Sequence, residues 1–140
     1  MDPQQWLVME QSYVAFHGAV GCSRAELMGS GAGVALGIFP IGSKQVSQSA
    51  SSVYASTSES LAIASGRVSF VLGLHGPCAS FETSCSASLV GCHSAIRALR
   101  FGECETHLAS GVNLMLLPAA SIGAAIAGMT SPRGRSHTFD

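Results

Sequence analysis

This sequence has few charged residues. Only 11% of its 140 residues are charged, whereas a soluble domain usually has about 25%. Seven Lys and Arg stand against eight Asp and Glu, so the net charge is −1. This balance disfavours binding to a nucleic-acid backbone or an anionic membrane, since both need an excess of positive charge. Because so few charges cover a globule of this size poorly, we expect part of the surface to be covered by more of the same chain or by a partner subunit.

Other missing features concern location and metal binding. No basic stretch and apolar core follow Met1, so no export signal is predicted and the cytoplasm is the expected compartment. The most apolar stretch, residues 112–129, is interrupted by Asn113 and Pro118, which favours a buried strand and a helix over a membrane span. The five cysteines are odd in number and include no C-x-x-C pair. We therefore interpret them as reduced thiols and predict no metal site.

Apolar residues recur with helical and strand spacing in turn along the chain. A helix is predicted over residues 3–18, and its buried face would comprise four apolar side chains: Trp6, Met9, Tyr13 and Phe16. The later elements are a strand over 34–39, a serine-rich loop over 40–58, a helix that begins near residue 61, a strand over 78–83, a helix over 86–101, a strand over 108–117 and a helix after Pro118. Strands that alternate with helices predict an α/β layered domain.

Cys85 is the strongest candidate for chemistry because it lies where a predicted strand turns into the 86–101 helix. The unpaired amide groups and the dipole of a helix N-terminus favour negative charge, so they would stabilise a thiolate and a neighbouring oxyanion. The neighbours Ser84, Ser86, Ala87 and Ser88 are small and leave room for a substrate. On position alone, a nucleophile and a small buried cysteine in a tight turn remain equally open.

No histidine is placed by its spacing to act as a base for Cys85. His93 is eight residues further along the helix, a rise of about 12 Å, which is too far for a hydrogen bond. His17, His75, His107 and His137 have no spacing that brings them to Cys85. A hydrolase that uses His75 or His107 as its base stays an alternative.

The segment around Cys85 resembles a known active-site signature. Residues 81–90 read F-E-T-S-C-S-A-S-L-V, which is similar to the D-T-A-C-S-S-S-L-V motif of β-ketoacyl synthases. Further blocks of this family appear in the same order: M-D-P-Q-Q at 1–5, A-S-G-R-V-S-F at 64–70, G-P at 76–77, R-F-G-E-C at 100–104, G-V-N-L-M-L at 111–116, and S-P-R-G-R through F-D at 131–140. The resemblance leaves only about residues 40–58 unmatched and is nearest to the modular type I polyketide synthases.

This resemblance implies a thiolase-like layered α/β/α/β/α fold, of which residues 1–140 would be the N-terminal half, and a homodimer. It implies that Cys85 is the catalytic nucleophile, which accepts an acyl chain from the phosphopantetheine arm of an acyl carrier protein. A decarboxylative Claisen condensation with malonyl-carrier protein would follow. The backbone N–H of Cys85 would be one oxyanion donor. The implied partners are the carrier protein and other polyketide synthase domains, with no permanently bound cofactor and no metal.

The sequence departs from the family motif at several positions. Glu82 and Ser84 replace the usual Asp and Ala, and Ala87 replaces a Ser, although none of these changes removes the nucleophile. None of the five histidines matches the family's H-G-T-G-T and N-x-G-H motifs, so we expect the 140-residue chain alone to be inactive in condensation. A non-catalytic truncated paralogue that keeps a dimerisation surface, and a ketosynthase of a fatty-acid synthase, remain alternatives.

Overall fold

The computed structural model describes residues 1–39 and 60–136. The predicted loop over 40–58 and His137 lie outside these ranges. The helices are α1 (Pro3–Val20), α2 (Arg24–Leu27), α3 (Ala64–Leu72), α4 (Ala87–Arg100) and α5 (Pro118–Ile126). The strands are β1 (Gly33–Ile38), β2 (Cys78–Phe81) and β3 (His107–Val112). Single 3-10 turns, Leu61–Ile63 and Ser84–Ser86, lead into α3 and α4.

The three strands form one parallel sheet in the order β2-β1-β3. The central strand β1 is buried along its whole length. In its register, Gly37 is paired with Phe81 of β2 on one side and with Gly111 of β3 on the other. The predicted α/β class is confirmed, since parallel neighbours require crossover connections, and α3 and α4 lie in the two connections between these strands.

Alternate residues of β1 face different helices. Val34, Leu36 and Ile38 belong to a core cluster with α1 and α3, whose members Val8 and Val68 are 3% and 0% exposed. The other face of β1 bears only small residues towards α4, and they permit a close approach of helix and sheet. The sheet therefore lies between α1 and α3 on one side and α4 on the other.

The predicted buried stripe of α1 is wrong in part. Phe16 is buried, but Trp6 and Tyr13 are 56% and 39% exposed. The buried face combines Val8 and Phe16 with polar residues at the start of the helix, because Gln4 and Gln5 are each only 1% exposed. The side chain of Gln4 is hydrogen-bonded to the backbone at both Phe39 and Leu114, and such partners allow a polar side chain to be buried at low cost.

The side of helix α4 that packs on the sheet is not its most apolar side. The predicted apolar repeat of Leu89, Cys92, Ile96 and Leu99 is exposed, with Leu89 at 73%. The buried positions are four small residues: Ala87, Gly91, Ala95 and Ala98. A helix that lies close against small strand residues has room only for small side chains of its own.

The last predicted strand is shorter than expected. β3 ends at Val112. Two residues later, the backbone N–H of Leu114 donates to the side-chain oxygen of Gln4 at 3.0 Å. The helix after Pro118 is confirmed as α5. Across residues 1–39 and 60–136, no helix is long and apolar enough to cross a membrane.

Candidate active site

Cys85 lies in a tight connection between β2 and α4. The strand ends at Phe81, the 3-10 turn Ser84–Ser86 follows, and α4 begins at Ala87. The hydroxyl of Ser86 donates to the carbonyl oxygen of Thr83 at 2.8 Å, and the backbone N–H of Ser86 reaches the same oxygen at 3.3 Å. This strand-turn-helix arrangement is the one predicted from the sequence, and it places Cys85 directly before the N-terminus of α4, where the helix dipole favours negative charge.

Ser84 has an unusual backbone conformation for the residue next to a candidate nucleophile. Its φ of 57° lies in the left-handed region, and no other non-glycine residue in the described ranges has a positive φ. This conformation costs a residue with a Cβ about 1 kcal/mol. It lies in the turn between the strand and the helix, and Cys85, the next residue, is exposed.

A cavity of about 560 Å³ opens at Cys85. It lies at the carboxyl ends of β1 and β3, where open α/β sheets usually bind their ligands. Its size is typical of sites for small molecules and cofactor arms. The lining residues come from three places in the chain: Gly37, Ile38 and Phe39; Ser84, Cys85, Ala87 and Ser88; and Gly111, Val112 and Asn113.

The structure separates Cys85 from the two histidines considered as bases. His107 begins β3 and is paired with Gly33, so it lies at the amino end of the sheet. The backbone N–H of His75 donates to Ser30 at 2.8 Å, before β1 begins. No histidine lines the cavity around Cys85 in the described part of the chain. The arrangement gives no support to a hydrolase that uses either residue.

No disulfide joins any of the five cysteines, all of which lie within the described residues, and their surroundings differ. Cys78, Cys85 and Cys92 are exposed, whereas Cys104 is only 8% exposed. Burial raises the pKa of the Cys104 thiol. A backbone hydrogen bond from Gly33 lowers this pKa in part, and the charge of Glu103 raises it further. In residues 1–39 and 60–136, no three His, Cys, Asp or Glu side chains are grouped as metal ligands would be.

Sequence analysis missed several residues that build the cavity. Four of them line it: Gly37, Phe39, Gly111 and Asn113. The fifth is Gln4, whose side chain is hydrogen-bonded to Phe39 and to Leu114, the residue after Asn113. The blocks M-D-P-Q-Q and G-V-N-L-M-L contain three of these five residues and were recognised only as family motifs. These residues come together in space only because of the order of the strands in the sheet, and spacing along the chain does not show that order.

Comparison with known proteins identifies the family. The family model for the beta-ketoacyl synthase N-terminal domain matches residues 1–140. The chain therefore belongs to the β-ketoacyl synthase family.

The curated relatives are large polyketide synthases. The chain is 46% identical over 123 residues to the phenolphthiocerol synthesis polyketide synthase type I Pks15/1 of Mycobacterium bovis, and this match covers 88% of the chain and 6% of the relative. It is 38% identical to the mycocerosic acid synthase-like polyketide synthase of Mycolicibacterium smegmatis, over 100% of the chain and 7% of that protein. The chain thus spans only a small part of these relatives.

A solved ketosynthase shares the fold. The ketosynthase from module 6 of the bacillaene synthase of Bacillus subtilis 168 superposes with a TM-score of 0.78 at 36% identity. The match covers 96% of this chain and 23% of the solved chain. The thiolase-like α/β assignment is confirmed by this likeness.

Proposed function

We propose that residues 1–140 are the N-terminal portion of a polyketide synthase ketosynthase domain and that Cys85 is its acyl-accepting nucleophile. The observation that carries this proposal is the position of Cys85, exposed in the turn before α4 and open to the cavity at the carboxyl edge of the sheet. A nucleophile needs an approach path and nearby donors for developing charge. The cavity provides the first and the helix start provides the second.

The proposed step is a thioester exchange. The Sγ atom of Cys85, as a thiolate, attacks the carbonyl carbon of an acyl thioester and forms a new C–S bond. The tetrahedral intermediate bears an oxyanion, to which the backbone N–H of Cys85 donates. When the intermediate collapses, the bond to the donor's sulfur breaks and the donor leaves as a thiolate, so charge and electrons balance.

The donor in this proposal is the phosphopantetheine arm of an acyl carrier protein. The relatives named as polyketide synthases support this choice, because in such enzymes acyl chains travel on carrier-protein thioesters. The proposed partners are the carrier protein, other polyketide synthase domains and a second copy of the chain in a homodimer, all in the cytoplasm. No permanently bound cofactor is required for the exchange.

The first test is self-acylation. The chain is incubated with an acyl thioester of N-acetylcysteamine, a mimic of the pantetheine end, and digested for mass spectrometry under conditions that preserve thioesters. We expect the acyl group on Cys85 and none in a Cys85→Ala variant. Cys92→Ala is the matched control, because Cys92 is also exposed and lies on α4. Labelling of Cys92 at the same rate, or no labelling of Cys85, would favour the non-catalytic paralogue.

A second test separates acylation from condensation. Decarboxylation of a malonyl group requires donors for the developing enolate, and the described cavity contains no histidine to act as one. We therefore expect the acylated 140-residue chain to form no β-ketoacyl product with malonyl-carrier protein. Product above the level of the Cys85→Ala variant would contradict this part of the proposal.

A further inference from the structure

Two glycines lie directly beneath the start of α4. Gly37 of β1 and Gly111 of β3 are register partners in the parallel sheet. Both glycines line the same cavity as Cys85. They come from segments 74 residues apart in sequence (111 − 37), yet both approach Ser88, in the first turn of the helix.

Neither position has space for a side chain. A Cβ atom added to Gly37 would lie 2.6 Å from the carbonyl carbon of Ala87 and 2.7 Å from the Cα of Ser88, and it would also collide with the backbone nitrogen of Ser88. A Cβ added to Gly111 would lie 2.7 Å from the Cβ and 3.4 Å from the Oγ of Ser88. The first collision is with helix backbone, whereas the second is with a side chain.

We propose that Gly37 and Gly111 are positioning residues, which together form a seat for Ser88 and thereby set the place of Cys85 relative to the strand ends. This inference rests on the proposed function, since it concerns acyl transfer to Cys85. Cys85 is three residues before Ser88, in the turn that runs directly into α4. If the first turn of α4 moves away from the sheet, the thiol moves relative to Phe39 and Asn113, which follow β1 and β3 and also line the cavity.

The seat makes the acylation rate sensitive to small changes. Reacting groups must be held close to their productive geometry, and a misplacement of about 1 Å can reduce a rate by about 100-fold. Alkylation of an exposed thiol by iodoacetamide does not use the cavity wall. A change at Gly37 or Gly111 should therefore slow acylation of Cys85 and leave its rate of alkylation nearly unchanged. A general loss of stability would not separate the two rates in this way.

The variants are Gly37→Ala, Gly111→Ala and each of them combined with Ser88→Gly, with Ser88→Gly alone as the baseline. Gly33→Ala is the matched control, because it crowds His107 and Pro77 at the other end of β1. Gly123→Ala controls for the added methyl group, since nothing lies within 4 Å of that position. Protection of the buried thiol of Cys104 from alkylation reports that the chain is folded.

We expect Gly37→Ala and Gly111→Ala to slow acylation of Cys85 by about tenfold or more, with iodoacetamide rates within about twofold of the original protein. Ser88→Gly should restore acylation to Gly111→Ala, because it removes the Cβ and Oγ that the new methyl group meets. It should not restore Gly37→Ala, whose collision is with backbone. Both controls should acylate normally.

Three results would overturn the inference. The first is unchanged acylation in both glycine variants, and the second is an equal loss of acylation in Gly33→Ala. The third is slow acylation of Gly111→Ala, or loss of its Cys104 protection, that Ser88→Gly does not restore. The last result would mean that the methyl group fills the cavity or acts elsewhere.

Hydrogen exchange keeps this inference separate from the proposed function. Amides of residues 84–91 should exchange faster in both glycine variants, and those of residues 93–100 should not. If the original chain is not acylated, the proposed function fails, and the exchange pattern alone decides whether the seat exists. Unchanged exchange over residues 84–91 would then contradict it.

Discussion

The buried side-chain amide of Gln4 donates a hydrogen bond to the carbonyl oxygen of Phe39 at 3.3 Å, which ties the first turn of α1 to the end of β1. The oxygen of the same amide accepts from the backbone N–H of Leu114 at 3.0 Å, just after β3. One side chain thus connects two segments that border the cavity. Gln4 is itself held by the N-cap, because its backbone N–H donates to Asp2 at 2.8 Å.

Replacing Gln4 should destabilise the chain. Gln4→Met keeps the length of the side chain but removes its hydrogen bonds to the carbonyl of Phe39 and the N–H of Leu114. Buried groups that lose a partner cost about 1 to 3 kcal/mol, so we expect the free energy of unfolding to fall by about 2 kcal/mol or more. Urea denaturation followed by circular dichroism measures this change.

Gln5→Met is the matched control for this prediction. Gln5 is equally buried and donates to the carbonyl oxygen of Ser60 at 3.1 Å, but its own oxygen has no partner among the described residues. Removal of an unpaired buried oxygen offsets part of the lost hydrogen bond. We expect Gln5→Met to cost less than Gln4→Met, and an equal or larger cost would contradict the role given to Gln4.

Ser84 gives a prediction about the turn before Cys85. At its φ of 57°, glycine has no steric cost, whereas a β-branched residue is strongly disfavoured. We expect Ser84→Gly to keep or slightly raise the free energy of unfolding and Ser84→Val to lower it by about 1 to 2 kcal/mol. Thermal unfolding of both variants tests the order. A Val variant as stable as the Gly variant would contradict the left-handed conformation.

The local structure at the candidate site was predictable from sequence. A short strand, a turn of small residues and a helix follow one another without a break, so the place of Cys85 depends only on neighbours in the chain. The end of the helix was also readable, because Gly102 follows it with a positive φ of 70°. The same holds for α5, which begins at a proline.

What could not be predicted depends on contacts between distant segments. The apolar repeat of α4 indicated a buried face through Leu89 and Ile96, and this was wrong because the sheet beneath the helix presents glycine and alanine. The stripe through Trp6 was wrong in part because the buried face of α1 includes the polar residues Gln4 and Gln5. The hydrogen-bond partners of Gln4 lie 35 and 110 residues away, and spacing along one helix carries no signal of them.

The orientation of α4 can be tested by one substitution on each face: a larger residue on the buried face and a polar residue on the exposed face. Ala95 is 4% exposed and Leu89 is 73% exposed. Overpacking a tight interface costs about 1 to 3 kcal/mol, so we expect that loss for Ala95→Leu. For Leu89→Gln we expect a change within about 0.5 kcal/mol, as for most exposed positions. Chemical denaturation compares the two, and the reverse order would restore the apolar repeat as the buried face.

We expect Cys104 to make the folded chain less stable as the pH becomes alkaline. Burial raises the pKa of its thiol above the ordinary value of 9.0, so the folded state keeps the proton over a range in which the unfolded state loses it. A group with a raised pKa contributes its full stability below the unfolded pKa and loses it as the pH rises through the folded pKa.

We therefore expect the free energy of unfolding to fall as the pH rises above about 9, under reducing conditions, and to fall less steeply in Cys104→Ala. Cys92→Ala is the control, because the thiol of Cys92 is exposed and its removal should leave the slope of the original protein. Urea titrations between pH 7 and pH 10.5 measure all three slopes. If Cys104→Ala and Cys92→Ala lose stability equally over this range, the buried thiol is not the source of the pH dependence.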